Sequence, residues 1–219
     1  VETSEDGEIW TPLAYEKYWT VDKDYGGKVY TPSVLGEGMT GGEGQLTLKA
    51  GEIIAISPGH TGTKYRIIEE ADEDWVCSAA DNTISGTLAE RGNSAVFTNY
   101  YRWKDLVLTK NLTHYPNLSC WQYFTFTIYE VDGDTETPVT EPLKWTSRYS
   151  GDYVRDSGYL QNGSFSTYCA NCAVTIEKLD ATKTYRIRET DSGTDFKVVQ
   201  TDGVKFSFLP EAVDRKVTI

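Results

Sequence analysis

Few residues in this sequence have the types and spacing that chemistry requires, and the first candidates are Cys169 and Cys172, separated by two residues. A redox pair of this spacing needs a helix N-terminus to lower the thiol pKa, and no helix is predicted here. A zinc site needs two further ligands, but the other cysteines and the two histidines show no ligand spacing. If the pair flanks a two-residue hairpin turn, the two residues are cross-strand neighbours within disulfide reach. We therefore predict a Cys169–Cys172 disulfide, with Cys120 as a competing partner and Cys77 as a free buried thiol.

Motifs of catalysis are missing from the sequence. It contains no Ser-His-Asp arrangement, no Gly-rich phosphate loop and no HExxH pattern, and two histidines leave few candidates for acid–base work. The acidic run from Asp132 to Glu136 lacks the rest of a calcium-loop pattern and is typical of a solvated turn. We therefore predict that the protein is not an enzyme and has no metal site and no cofactor.

The net charge is −12. Binding to nucleic acid needs a basic face for the phosphates, and an anionic membrane surface also attracts cations, so both classes of partner are disfavoured. No apolar run approaches the length of a membrane span. The 6 Trp, 15 Tyr and 7 Phe provide large apolar side chains for a folded core.

An internal repeat determines the predicted architecture. The segment Tyr-Arg-Ile-Ile-Glu that ends at Glu69 recurs 120 positions later as Tyr-Arg-Ile-Arg-Glu, which ends at Glu189. At the same offset, the segment 48–56 aligns without a gap with 168–176, so that Cys169 and Cys172 replace Lys49 and Glu52 at a hairpin turn. Two copies of one structural unit are therefore expected.

Both copies contain short segments of alternating apolar and polar residues between turn residues, which is typical of antiparallel β-sandwiches. The predicted strands include 45–48, 53–56, 64–68, 95–99, 106–110, 123–129, 173–176 and 184–188. We predict an all-β chain of two immunoglobulin-like domains, residues 1–101 and 102–219. The first would lack its initial strand or strands and the second its last strand. Either the sequence is a piece trimmed from a longer protein, which we favour slightly, or each domain has an open sheet edge.

Several segments together resemble the collagen-adhesin B-type (Cna-B-like) repeats of Gram-positive pilins and cell-wall-anchored adhesins. They are a Leu-x-x-x-Lys strand ahead of Phe-Thr-Phe-Thr, a Leu-Lys-Ala-Gly-Glu hairpin, a Tyr-x-Ile-x-Glu strand and a closing Phe-Thr-Asn-Tyr. Their order and spacing carry the resemblance, which covers nearly the whole chain. Residues 10–30, rich in Trp and Tyr, match poorly.

The resemblance implies an intramolecular isopeptide bond between a Lys on the first strand and an Asn on the last, assisted by a Glu on a middle strand. It places Lys110 as the nucleophile and Glu189 as the assisting acid in the second domain, with its Asn outside the sequence. In the first domain it places Glu69 as the acid and Asn99 as the acceptor, with the Lys outside the sequence. The alternative is that Lys110 and both glutamates are ordinary strand residues without a shared function.

Aromatic residues concentrate in the segment least like the family, among them Trp10, Trp19 and Tyr25. If these side chains are exposed, they offer a platform for a glycan or a matrix protein. If they are buried, they form the core of the first domain, which is the interpretation we favour because that domain must fill a sandwich.

The resemblance thus predicts a structural stalk module of an extracellular, cell-wall-anchored adhesin or pilus-like protein. The alternative is a ligand-binding adhesin module that uses residues 10–30. Expected partners are neighbouring repeats of the same protein, or another copy that completes the open sheet edges through β-augmentation.

Overall fold

The computed structural model describes residues 1–22, 33–57, 59–90, 93–110, 123–148, 153–167, 173–192, 198, 200, 202–208 and 215–218. The chain forms two compact units, Val1–Asn99 (unit 1) and Tyr100–Ile219 (unit 2). Strands make up the regular structure, and the helical segment described is a single 3-10 turn at Ala80–Asn82. The predicted all-β fold is therefore confirmed. Within the described ranges, no helix is long and apolar enough to cross a membrane.

Unit 1 consists of short antiparallel strands in separate sheets. The strands that begin in it are β1 (Glu2–Ser4), β2 (Thr11–Pro12), β3 (Lys17–Val21), β4 (Val34–Met39), β5 (Ile53–Ile56), β6 (Lys64–Ile68), β7 (Trp75–Cys77), β8 (Thr83–Thr87) and β9 (Asn99–Tyr101). One sheet has the order β4-β3-β5, a second has the order β2-β1-β6-β8, and β7 pairs with β9.

Unit 2 has two larger sheets. Its strands are β10 (Trp103–Thr109), β11 (Phe124–Asp132), β12 (Thr135–Pro138), β13 (Lys144–Arg148), β14 (Val154–Tyr159), β15 (Ser164–Thr167), β16 (Ala173–Asp180), β17 (Thr184–Asp191), β18 (Val204–Ser207) and β19 (Arg215–Thr218). One sheet has the order β14-β13-β16-β10-β19, and the other has the order β12-β11-β17-β18, with β15 also paired to β11.

The strand orders of the two units correspond. The order β4-β3-β5 in unit 1 matches β14-β13-β16 in unit 2, and β2-β1-β6-β8 matches β12-β11-β17-β18. The equivalent strands β5 and β16, and likewise β6 and β17, begin 120 positions apart, which is the offset of the sequence repeat. The repeated sequence therefore encodes a repeated strand order.

The core of unit 2 lies between its two sheets. Alternation along β10 places Leu106 and Leu108 at 0% exposure, and Phe126 and Ile187 of the facing sheet are also 0% exposed. Burying one such side chain stabilises the fold by about 1.5–3 kcal/mol. These residues belong to one continuous apolar cluster with contributions from both sheets, so unit 2 is a β-sandwich.

Unit 1 is packed less completely than unit 2. Among its described apolar side chains, Val21 and Tyr65 are buried, at 6% and 7% exposure. All four residues of β5 are half-buried, whereas Val174 and Ile176 of the equivalent strand β16 are 2% and 0% exposed. In unit 2, β16 pairs with β13 on one side and β10 on the other, but β5 pairs only with β3 within the described ranges.

Two predicted strands of unit 1 differ from the structure. Residues 45–48 belong to no strand, and of residues 95–99 only Asn99 does. The equivalent of 45–48 in unit 2 is β15, which pairs with the N-terminal half of the nine-residue strand β11. The corresponding strand β1 has three residues and pairs with β2 and β6, so 45–48 has no neighbour to complete a ladder.

Comparison of the two repeats predicts that unit 2 lacks its last strand, but the structure contains β19 in this unit. It runs parallel to β10, with Leu106 opposite Arg215 and Thr109 opposite Thr218. A β-branched pair, Val217 and Thr218, favours the extended conformation here. The end of β19 consequently lies beside the end of β10, where Lys110 follows.

Candidate functional site

Unit 2 brings together two of the predicted site residues. The Nζ atom of Lys110 lies 2.6 Å from Oε2 of Glu189, and the two side chains are 11% and 1% exposed. Lys110 directly follows β10 in one sheet, and Glu189 belongs to β17 in the other. The contact therefore bridges the two layers of the sandwich at its edge.

The surroundings of this pair are apolar. The Lys110 ammonium lies 5.2 Å from the centroid of the Phe124 ring, and Phe124 is 0% exposed. The register places Phe126 opposite Glu189 on β11, so the repeated Phe-Thr alternation directs both rings toward the interior. A cation over an aromatic face is stabilised electrostatically.

One oxygen of Glu189 has no hydrogen-bond donor among the described residues. Its Oε2 accepts the bond from Lys110, but Oε1 is buried without a partner in that part of the chain. A buried acceptor without a donor costs about 1–3 kcal/mol.

Unit 1 brings together the other two predicted residues. Nδ2 of Asn99 donates a hydrogen bond of 2.7 Å to Oε1 of Glu69. Glu69 directly follows β6, which is the counterpart of β17, and its backbone N–H is fixed by the carbonyl of Asn82 at 2.8 Å. Asn99 begins β9. The Glu69 carboxyl group therefore accepts a hydrogen bond from a side-chain amide, whereas the equivalent Glu189 in unit 2 accepts one from a lysine.

The unit 1 site is more open than its counterpart. Asn99 is exposed and Glu69 is half-buried, whereas Glu189 is buried. Even so, Oε2 of Glu69 is a buried atom without an N–H or O–H donor within the described ranges, and the Cys77 thiol interacts with this carboxylate. Each unit therefore presents a glutamate with one oxygen that accepts a hydrogen bond from nitrogen and one without an N–H or O–H donor in the described ranges, and each has one of the two groups that an isopeptide bond joins.

The thiol of Cys77 lies at the unit 1 site. Cys77 belongs to β7, which pairs with β9, the strand that begins at Asn99. It is free and half-buried. Burial and the neighbouring Glu69 carboxylate raise the pKa of the Cys77 thiol. The thiol is therefore kept protonated and is a poor nucleophile at neutral pH.

The predicted aromatic site residues Trp10 and Trp19 match neither the buried-core nor the exposed-platform interpretation fully. Trp10 and Trp19 are half-buried, so they neither join the fully buried core nor stand free. The Arg66 guanidinium lies 4.5 Å from the Trp10 ring centroid, and the Lys17 ammonium lies 5.7 Å from that of Trp19. One face of each ring is therefore covered by a cation.

Several predicted residues lie outside the described ranges, namely Tyr25, Cys120, Cys169 and Cys172. The disulfide accordingly stays a prediction. Across the described part of the chain, no cluster of three or more His, Cys, Asp or Glu side chains could hold a metal ion.

Sequence reasoning did not identify the roles of Phe124 and Cys77. The alternation in Phe-Thr-Phe-Thr places Phe124 on the inner face of its strand, but its position under Lys110 depends on pairing between distant strands. Cys77 lies outside the repeated segments that align without a gap, so the sequence gives no sign of its proximity to Glu69.

Comparison with known families gives one partial match. Residues 8–101, less than half of the chain, match a family described as a domain of unknown function, DUF7601. No curated protein matches the chain.

Solved structures of pilins are distantly similar to this chain. The major pilin T3.2 from Streptococcus pyogenes has 15% identity and a TM-score of 0.37, with 96% of this chain and 91% of the pilin covered. Another major pilin structure from Streptococcus pyogenes has 13% identity and a TM-score of 0.37, with 94% and 90% covered. The shaft pilin spaA from Lactobacillus rhamnosus GG, as its D295N mutant, has 18% identity and a TM-score of 0.29, with 97% and 89% covered.

Proposed function

We propose that this chain is a structural module of a cell-surface stalk, of the Cna-B-like kind, whose sandwiches are stabilised by Lys–Asn isopeptide bonds. The observation that carries the proposal is the buried pair of Lys110 and Glu189, whose atoms are 2.6 Å apart beside the end of β19. An amine, a carboxyl group and an adjacent strand end are the geometry that such a bond requires.

The chemistry follows from the burial of the pair. In the proposed reaction, a proton passes from the Lys110 ammonium to Oε2 of Glu189, its hydrogen-bond partner, and gives an amine and a carboxylic acid. The neutral amine is nucleophilic. The acid can hydrogen-bond the side-chain amide of an asparagine that follows β19 and polarise its carbonyl.

The bond balances as a transamidation. A bond forms between Lys110 Nζ and the amide carbon, and the bond between that carbon and the amide nitrogen breaks. Glu189 gives its proton to the departing nitrogen and takes one from the attacking nitrogen, so that ammonia leaves and the new amide is neutral. No oxidant or cofactor takes part. The product is a neutral covalent link between the first and last strands of unit 2.

Unit 1 supports the same function through its arrangement of the acceptor amide. Its Glu69 already binds the amide of Asn99 at 2.7 Å, which is how the acid would hold the acceptor. In the proposed reaction, unit 2 supplies the nucleophile and unit 1 the acceptor, each beside the equivalent glutamate of the repeat.

Mass spectrometry of the native protein with its flanking repeats tests the proposal. Peptide mapping should find Lys110 joined to an asparagine with the loss of one ammonia, and Glu189→Gln should abolish that link. Glu177→Gln, which changes a glutamate paired with the exposed Lys144, serves as the matched control. A native protein with a free Lys110 amine in every molecule contradicts the proposal.

The proposal extends to location and partners. A module of this kind belongs outside the cell, on the surface of a cell-wall-anchored protein, and contacts neighbouring repeats or other copies of the protein. It has no catalytic turnover.

Glycan or matrix binding through Trp10 and Trp19 is the alternative function. A glycan array with Trp10→Ala and Trp19→Ala variants distinguishes this function from a purely structural role.

A further inference from the structure

We propose that Asn162 is a modification site controlled by the fold of unit 2. While the unit is folded, the turn that contains Asn162 prevents deamidation of its side chain. When the unit unfolds, the side-chain amide is converted to an acid, in large part through an isoaspartyl link that the folded turn cannot accommodate. The inference depends only on unit 2 and this turn, and not on the proposed stalk function.

Asn162 begins the single Asn-Gly pair of the sequence, Asn162–Gly163. In a flexible chain, the backbone nitrogen that follows an asparagine can attack the side-chain amide carbon, and a glycine hinders this attack least because it has no Cβ. The new bond joins the Gly163 nitrogen to Cγ of Asn162, the bond from Cγ to the amide nitrogen breaks, and ammonia leaves. The proton of the Gly163 N–H passes to solvent, and solvent protonates the departing nitrogen. Water then opens the cyclic imide at either carbonyl, which gives aspartate or isoaspartate.

The conformation of the turn opposes this reaction. The Ser164 N–H donates to the Gln161 carbonyl at 3.0 Å, and the Gln161 N–H donates to the Ser164 carbonyl at 2.8 Å. Between them, Asn162 and Gly163 have φ angles of 51° and 77°, as in a type I′ hairpin turn. The first central residue of such a turn has a ψ of about +30°, which directs the Gly163 nitrogen away from the Asn162 side chain. The imide ring therefore cannot close in the folded turn.

Packing against β11 fixes the turn in this conformation. The Gly163 carbonyl accepts a hydrogen bond of 2.9 Å from the backbone N–H of Ile128, whose side chain is 0% exposed. Gly163 is itself buried. A Cβ at this position would lie 2.6 Å from the Ile128 carbonyl oxygen and 3.0 Å from the Val139 nitrogen. The backbone therefore cannot rotate into the reactive conformation unless the turn separates from β11.

The same close packing makes the modification permanent. An isoaspartyl link lengthens the main chain by one methylene group directly before Gly163, where the backbone already lies against Ile128 and Val139. The added atom would displace the Gly163 carbonyl from its hydrogen bond with Ile128. An ordinary aspartate leaves the main chain unchanged and tolerates the left-handed conformation. The fold of unit 2 therefore distinguishes the two products.

Peptide mapping by mass spectrometry tests the control of the reaction. The deamidation rate of Asn162 at neutral pH is measured in the folded full chain, in the chain unfolded by concentrated urea, and in a synthetic peptide of residues 159–166, Tyr-Leu-Gln-Asn-Gly-Ser-Phe-Ser. The unfolded chain and the peptide should react at similar rates. The folded chain should react at least about 100-fold more slowly, because only molecules with an open turn are reactive. A smaller ratio would show that the folded turn reacts and would overturn the proposal.

Two core truncations distinguish unfolding of unit 2 from local opening of the turn. Leu108→Ala enlarges the unfolded population of unit 2 and should accelerate deamidation of Asn162 by about 30-fold or more. Ile54→Ala, in unit 1, is the matched control and should leave the rate unchanged. An unchanged rate in Leu108→Ala would show that the turn opens by itself, which would contradict control by the fold of the unit.

Refolding after deamidation tests the permanence of the mark. Molecules that carry isoaspartate at position 162, separated by chromatography after incubation in urea, should not regain the hydrogen-exchange protection of the Ile128 amide. The Asn162→Asp variant adds the same charge without the extra backbone atom, so it should regain this protection. Full protection in the isoaspartyl molecules would overturn the permanence, and loss of protection in Asn162→Asp would assign the effect to charge instead of chain length.

Discussion

Lys110 Nζ and Glu189 Oε2 lie 2.6 Å apart, with side chains 11% and 1% exposed, on strands of opposite sheets. Two opposite charges at this depth stabilise one another only as a pair, because either one alone would be buried without compensation. The stability of unit 2 therefore depends on the presence of both side chains.

Removing one member of the pair should destabilise unit 2 strongly. Because Lys110→Met leaves Glu189 buried without a partner, we expect the free energy of unfolding to fall by about 3–5 kcal/mol. Urea denaturation monitored by the fluorescence of Trp145 in unit 2 measures the change. Lys144→Met breaks an ion pair whose side chains are 52% and 37% exposed, and it should cost less than about 1 kcal/mol. Equal losses in the two variants would contradict the assigned role of burial.

Truncation of the inner strands should affect the two units unequally. Leu108 is 0% exposed, so Leu108→Ala should lower the free energy of unfolding of unit 2 by about 2–5 kcal/mol through lost burial and a cavity. Ile54 of β5 is half-buried, and Ile54→Ala should cost roughly half as much. Thermal unfolding of both variants checks the difference, and a larger loss for Ile54→Ala would show that β5 is covered in solution.

The Asp6 turn should make unit 1 sensitive to acid. Hydrogen bonds from the backbone N–H groups of Ile9 and Glu8, and then from the Ser4 hydroxyl, lower the pKa of Asp6 from 3.8 to about 2. Because the folded pKa is depressed, this stabilisation is fully present above pH 3.8 and is lost as the pH falls toward 2. The stability difference between the unmodified chain and Asp6→Asn should therefore shrink over that window.

Urea midpoints of unit 1 measured at several pH values test the Asp6 prediction. Glu8→Gln, an exposed substitution in the same turn, is the control. A stability difference for Asp6→Asn that stays constant down to pH 2 would exclude the turn as the source of the acid sensitivity.

Alkylation of Cys77 should report on the unit 1 site. Burial and the Glu69 carboxylate raise the pKa of this thiol above 9.0, so its reaction with iodoacetamide at neutral pH should be slower than that of an unfolded peptide. Glu69→Gln removes one cause and should accelerate the reaction, whereas Asn99→Ala keeps the carboxylate charge and should leave it nearly unchanged. Peptide mapping separates Cys77 from the other cysteines, and an unchanged rate in Glu69→Gln would refute the proximity.

The sequence allowed the repeat and the inner strands to be predicted because both depend on local patterns. The alternation of apolar and polar residues located β5, β6, β16 and β17. The offset of 120 correctly identified β5 and β16, and likewise β6 and β17, as equivalent strands of the two units. The failure at residues 45–48 has a different cause: those residues have the alternation of a strand, but the strand that would pair with them, β1, is three residues long. Local pattern predicts an extended segment and says nothing about its neighbour.

The site residues were identifiable only through the family resemblance. Glu69 and Asn99 are 30 positions apart, and Lys110 and Glu189 are 79 positions apart, so no local pattern connects them. Their contacts arise because strands from facing sheets end at the same edge of each unit. The parallel strand β19 was missed for the same reason, since parallel pairing joins segments that are far apart in the sequence.

The parallel pairing of β10 and β19 has a mechanical consequence. These strands are the first and last of unit 2 and lie side by side in the same direction, so a force applied to the two ends of the unit pulls them past each other along their length. All the hydrogen bonds of the ladder are then loaded together instead of opening one after another like a zipper. The topology alone thus gives unit 2 a shear geometry under tension, before any covalent link is added.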